Sequence, residues 1–200
     1  MSQTRIPAVD IHPQFTGRWS PRAFSDAPIS VQELTRFFEA ARWAPSAYNA
    51  QPWRFVYALR GDVYWERLLD LLIEFNRGWA QHAAALVILI SKASFTPPGK
   101  DKPVSTGSHS FDSGAAWAQF ALQASLDGWH AHAMGGFDKL KAREVLAVPP
   151  GYDLEVSIAV GKLGDKRRLP EYLQVQETPS ARQPVSDLVA HGVFGSARTE

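Results

Sequence analysis

Ala44-Pro45-Ser46-Ala47-Tyr48-Asn49-Ala50-Gln51-Pro52-Trp53 is the stretch on which the fold turns, because it closes a helix and opens the first strand. Upstream, Ser30-Val31-Gln32-Glu33 is a capping box. Val31, Leu34, Phe37, Phe38 and Ala41 follow at helical spacing, which predicts a helix from about Ser30 to Ala44. Pro45 stops it, since the residue before a proline is pushed out of the helical region. Downstream, Trp53 to Leu59 is rich in aromatic and β-branched residues and reads as a strand. Between the two prolines, Ser46, Asn49 and Gln51 offer more hydroxyl and amide groups than a turn requires, so the stretch reads as a site as well as a connection.

Further along, Gly61-Asp62 turns the chain into a helix carrying Leu68, Leu69, Leu72 and Phe75 and ending near Asn76. Ala84 to Ile90 is an unbroken apolar run of strand length, expected in the middle of a sheet. Residues 94–110 hold three prolines and read as a long functional or mobile loop. A helix from about Asp112 to Asp127 is apolar on nearly every side and is expected to be central and buried. After Gly135-Gly136, Asp138 caps a helix to about Ala147, and Leu154 to Val160 alternates as a strand. Residues 1–17 read as an arm or short irregular helix. Residues 170–200 read as an extended tail with a short helix near Pro184 to Ala190. No repeat or linker interrupts the chain, so the expectation is one α+β domain over residues 1–200.

The 200 residues suffice for one sizeable core. A formal charge of +1 spread along the chain argues against a nucleic-acid surface. No apolar run approaches the roughly 18 residues of a membrane helix. The absence of cysteine excludes thiol catalysis and fits a reducing cytoplasm. His130 and His132 would share one face of a strand, but no further ligand pattern completes a metal site, and they read as packed or edge histidines. Gly161-Lys162-Leu163-Gly164 lacks the spacing of a phosphate loop, and no serine sits in a nucleophile elbow.

What remains is a dispersed set of cations and small polar residues. It comprises Arg18, Ser20 and Arg22, then Ser46 and Asn49, then Asn76, Gly135 and Gly136, then Lys166 and Arg168. In this order, with Arg18-Trp19-Ser20-Pro21-Arg22-Ala23-Phe24, Ala41 to Trp53, Met134 to Asp138 and Lys166 to Pro170, the chain resembles the FMN-dependent nitroreductase family from Arg18 to about Phe194. The resemblance implies a central, mainly antiparallel sheet flanked by helices and an intertwined homodimer with FMN in the interface. By position, Arg18 would meet the phosphate, Trp19 and Ser20 the pyrimidine side, and Arg22 the N1 and C2 oxygen. Pro45, Ser46, Ala47 and Asn49 would come from the other subunit. Asn76 would bond the pyrimidine edge, and the backbone of Gly135 and Gly136 would face N5. Lys166 and Arg168 would finish the phosphate site, with Arg182 competing for that role. Where the family often has two successive serines, the second is Ala47 here.

The implied activity is that of an oxidoreductase in which NAD(P)H reduces the flavin and a nitroaromatic, quinone or similar small acceptor takes the electrons in a second step. The cofactor carries the chemistry, so no catalytic side chain is expected. Charge-assisted hydrogen bonds contribute about 1.5 to 3 kcal/mol each, so three cations on a phosphate give roughly 5 to 9 before association costs, and burial of the ring must add to this. The same fold could serve dehydrogenation, reductive dehalogenation or flavin breakdown, or bind FMN without turnover.

Overall fold

Ala85–Lys92 runs inside a four-stranded sheet, as its unbroken apolar sequence requires. The computed structural model describes residues 5–194, so the first four residues of the expected arm and the last six of the tail lie outside it. In chain order the elements are α1 (Pro13–Gly17), α2 (Val31–Arg42), β1 (Trp53–Leu59), α3 (Trp65–Leu69) and α4 (Glu74–Ala80). Next come β2 (Ala85–Lys92), β3 (Ser94–Phe95), β4 (Val104–Ser105), α5 (His109–Leu126), β5 (His130–Met134) and α6 (Lys139–Val145). The chain closes with β6 (Tyr152–Gly161), α7 (Glu171–Gln174) and α8 (Val185–Leu188).

The sheet order is β1-β2-β6-β5, with every neighbouring pair antiparallel. Alternation along β2 divides its side chains between two cores. Leu86, Ile88 and Ile90 join Leu68, Trp79 and Phe137 on one face, while Ala85, Val87 and Leu89 join Leu34, Phe37 and Phe120 on the other. The first face is covered by α3, α4 and α6, the second by α2 and α5. The α2 start is the expected capping box: Ser30 Oγ accepts the Glu33 N–H at 3.2 Å, and Glu33 Oε2 accepts the Ser30 N–H at 2.9 Å.

Four expectations change. The helix expected to end near Asn76 is two short ones, α3 and α4. Between them Leu72 bridges to Phe137 and the Ile73 N–H donates to the Gly136 carbonyl at 3.3 Å, so the backbone leaves the helix to meet the glycine pair. The 94–110 loop contains the β3–β4 hairpin, and α5 starts at His109. In this chain α5 buries one side only, through residues such as Ala116, Phe120 and Ala124, while Phe111 and Leu126 are 82% and 61% exposed. The helix after Asp138 ends at Val145, and Ala147 takes a left-handed φ of 51°.

Candidate functional site

Between α1 and α2, the segment from Arg18 to Phe24 runs beside β5, with the Pro21 carbonyl on His132 and the Trp19 ring against that of His130. Arg18, Trp19, Ser20 and Arg22 line a cavity of about 350 Å³ together with Arg5 and Arg182. Arg5 staples three segments: its Nη1 donates to the Arg18 and Thr16 carbonyls at 2.7 and 3.2 Å, and its Nε to the Ser180 carbonyl at 3.0 Å. Arg18 donates to Ser20 Oγ at 3.3 Å, and Arg182 to Ser180 Oγ at 2.9 Å. Among the described residues, no carboxylate forms an ion pair with any of these four arginines. Burial and then the neighbouring Arg182 charge lower the Arg18 pKa. Arg5 is lowered by burial, then by Arg182 and Arg18. Buried Arg22 Nε has no hydrogen-bond partner. Such uncompensated positive charge is the signature of an anion site.

A second cavity of about 480 Å³ adjoins the first through Arg18, Ser20 and His132, and is walled by Phe15, Trp117, Ala118 and Leu122. One end of the combined groove is therefore cationic and the other apolar, with α5 as its floor. His132 Nδ1 lies 2.9 Å from the Pro21 carbonyl, which can only accept, so Nδ1 carries the hydrogen. Burial lowers the His132 pKa, and the nearby Arg22 and Arg18 lower it further against the raising effect of the Pro21 and Ser20 carbonyls. The His132 ring also packs 4.7 Å from that of Trp79.

The strand carrying His132 runs on to Gly135 and Gly136. A Cβ at Gly136 would sit 2.7 Å from both Asn76 Nδ2 and Ile73 Cδ1, whereas Gly135 faces open space. Asn76, 8% exposed, donates from Nδ2 to the Gly136 carbonyl at 2.9 Å, so its side chain fixes the course of the glycine pair.

The remaining expected residues lie elsewhere. In the Pro45–Asn49 segment, Ser46 Oγ accepts the Gln51 N–H at 3.0 Å, and the Ala47 N–H donates to Asp112 at 3.2 Å. Tyr48, Asn49 and Gln51 all have positive φ. This segment sits at the start of α5 and the groove along its second half. From Asp112 to Leu122 the separation is about 15 Å at the helical rise, so one chain does not bring the two together. Lys166 and Arg168 line neither cavity. Arg168 holds Asp26 through Nη1 and Nη2, at 3.1 and 3.0 Å, and donates to the Phe24 carbonyl at 3.3 Å; Lys166 is exposed. Of the competing cations, Arg182 is the one beside Arg18. The sequence pattern does not mark Arg5, His132 or Trp117 for the site; the period-two spacing of His130 and His132 is a visible signal, while Arg5 carries none. Among the described residues no group of three His, Cys, Asp or Glu side chains could hold a metal ion, and no helix is long and apolar enough to cross a membrane.

The model of the nitroreductase family matches residues 15–83, which include Arg18 to Arg22 and Pro45 to Asn49. A Leptothrix cholodnii protein provisionally named NADH dehydrogenase/NAD(P)H nitroreductase is 31% identical over 141 residues, covering 62% of this chain and 70% of the relative. The chain belongs to the nitroreductase family. A Streptomyces coelicolor protein with the same provisional name is 39% identical over 85 residues, a match that spans only 42% of either chain. The solved structure of an oxidoreductase containing FMN is 41% identical, with a TM-score of 0.93 over 98% of this chain and 99% of that one. Nitroreductase-family membership thus agrees with the antiparallel α+β architecture described above.

Proposed function

We propose that the groove binds FMN and that the protein is an NAD(P)H-dependent oxidoreductase. The observation that carries this reading is the junction of a cluster of arginines, none of them ion-paired among the described residues, with an apolar groove, a match for a phosphate dianion attached to a flat aromatic ring. Three features support the fit: the unpartnered Arg22 Nε, the open space at Gly135, and the apolar wall of Trp117, Ala118 and Leu122. When bound, FMN supplies the redox chemistry, taking electrons from NAD(P)H and passing them to a small acceptor such as a nitroaromatic or quinone.

The chain's own residues bind and orient. Arg18 and Arg182 hold the phosphate, with Arg5 stapling their segments. Trp19, Ser20 and Arg22 would hold the ring end of the group, where a guanidinium would favour negative charge on the ring. Asn76 keeps Gly136 in place so that the Gly135 backbone stays clear of the ring face. A second copy of the chain covers the open side of α5 and brings its own Pro45, Ser46, Ala47 and Asn49 to the groove, which the exposure of Phe111 and Leu126 supports.

Absorbance of the purified protein and flavin titration test the reading. Replacing both Arg18 and Arg182 by Ala should weaken FMN binding by about 10² to 10⁴-fold, two charge-assisted contacts. NADH or NADPH should bleach the bound flavin of the wild-type protein. Unaltered affinity in the double variant, or a wild-type protein that binds no FMN, would sink the assignment.

A further inference from the structure

From residue 175 to residue 194 a single residue is buried, and it is an acid: Glu177, 7% exposed. Its Oε1 accepts the backbone N–H groups of Arg22 and Ala23, both at 2.7 Å. Its Oε2 is buried without a partner, so one oxygen makes both contacts. Gln176, Thr178, Ser180 and Arg182 line the basic cavity, while Glu177 between them is turned toward the Arg22 and Ala23 amides by the local turn in which the Thr178 N–H donates to the Gln176 carbonyl at 2.8 Å. An apolar side chain would cover the surface equally well. An acceptor aimed at two successive amides, together with the Arg5 contact to the Ser180 carbonyl, fixes which residues of the tail face the arginines.

We propose that Glu177 is a positioning residue for the anion end of the groove. By gripping the Arg22 and Ala23 amides it sets the Arg22 guanidinium and, through the register of the tail, Ser180 and Arg182 against Arg18. The inference rests on the flavin reading for the ligand's identity, and on geometry alone for the docking of the tail.

Two variants separate positioning from charge. Glu177→Gln keeps an oxygen at the Oε1 position and drops the charge; Glu177→Asp keeps the charge and is one methylene too short to reach both amides. Affinity for FMN, read by quenching of flavin fluorescence, should stay within about threefold of wild type for Gln and fall about tenfold or more for Asp, the loss of one charge-assisted contact. The flavin midpoint potential should become more negative in the Asp variant as Arg22 shifts. In the protein freed of flavin, amide exchange at Arg22 and Ala23 should accelerate for Asp and hold for Gln. Equal affinities in both variants, or tighter binding by Gln with Asp unchanged, would overturn the positioning role. So would a drop in melting temperature shared by both without any difference in affinity. A wild-type protein that ignores FMN would instead remove the flavin reading, and the amide exchange of the two variants would still decide whether Glu177 docks the tail.

Discussion

The carboxylate of Asp112, in the first turn of α5, accepts the backbone N–H of Ala47 at 3.2 Å, and the Ser108 hydroxyl reaches the same oxygen at 3.1 Å. One buried acid therefore ties the Pro45–Asn49 segment to the start of the groove helix. The turn it holds carries three non-glycine residues in the left-handed region, each of which raises the energy of the backbone. Asp112→Ala should lower unfolding free energy by about 1 kcal/mol in urea titration, because it leaves the part-buried Ala47 N–H without its acceptor. Asp112→Asn, which keeps an oxygen there, should lose less.

At the end of α6, the Val148 N–H donates to the Arg143 carbonyl at 2.9 Å and the Ala147 N–H to the Glu144 carbonyl at 3.1 Å. This is a Schellman closure, and it places exposed Ala147 at φ 51° where glycine fits without strain. Ala147→Gly should raise stability by about 1 kcal/mol, read as a higher urea midpoint at unchanged slope. A lower midpoint would contradict the reading of that cap.

Gly164 has the opposite constraint. A Cβ there would lie 2.4 Å from the backbone carbon of Phe24, whose segment leads out of the arginine site. Gly164→Ala should cost about 1 to 3 kcal/mol through displaced backbone, and calorimetry would show it as a lower melting temperature.

Burial pushes the His132 pKa below its ordinary 6.5, with Arg22 and Arg18 adding to the effect. The unfolded chain therefore takes up this proton first as pH falls, and the stability present above that value is lost on acidification. His82 and His130 are lowered as well, both mainly by burial, and act in the same direction. Urea midpoints should fall between about pH 7.5 and about pH 5.5, the range in which histidine titrates, and His132→Gln should fall less steeply than wild type.

What could be read from the sequence was local. The Ser30–Glu33 box marks the start of α2, and the run through Leu86, Ile88 and Ile90 marks an interior strand, because both patterns act within a few residues. The break between α3 and α4 depends on the Gly136 carbonyl, more than 60 residues on, and no periodicity in the helix announces it. The apolar sequence of α5 does not distinguish a face buried within its own chain from one left open. Arg18, Ser20 and Arg22 stood out through the order in which they recur with the glycine pair. Arg5 and Glu177 did not, since each matters only for the distant backbone it grips.

The gathering of Arg5, Arg18, Arg22 and Arg182, none of them in an ion pair among the described residues, also bears on how the polypeptide survives in a cell. Like charges confined to one cavity raise the free energy of the empty chain, and any anion that settles there repays it by mass action. The ligand thus acts as the last piece of the fold. A chain synthesised when that ligand is scarce lacks this stabilisation and is open to proteases for a larger fraction of the time, so the abundance of the protein should follow the supply of what it binds.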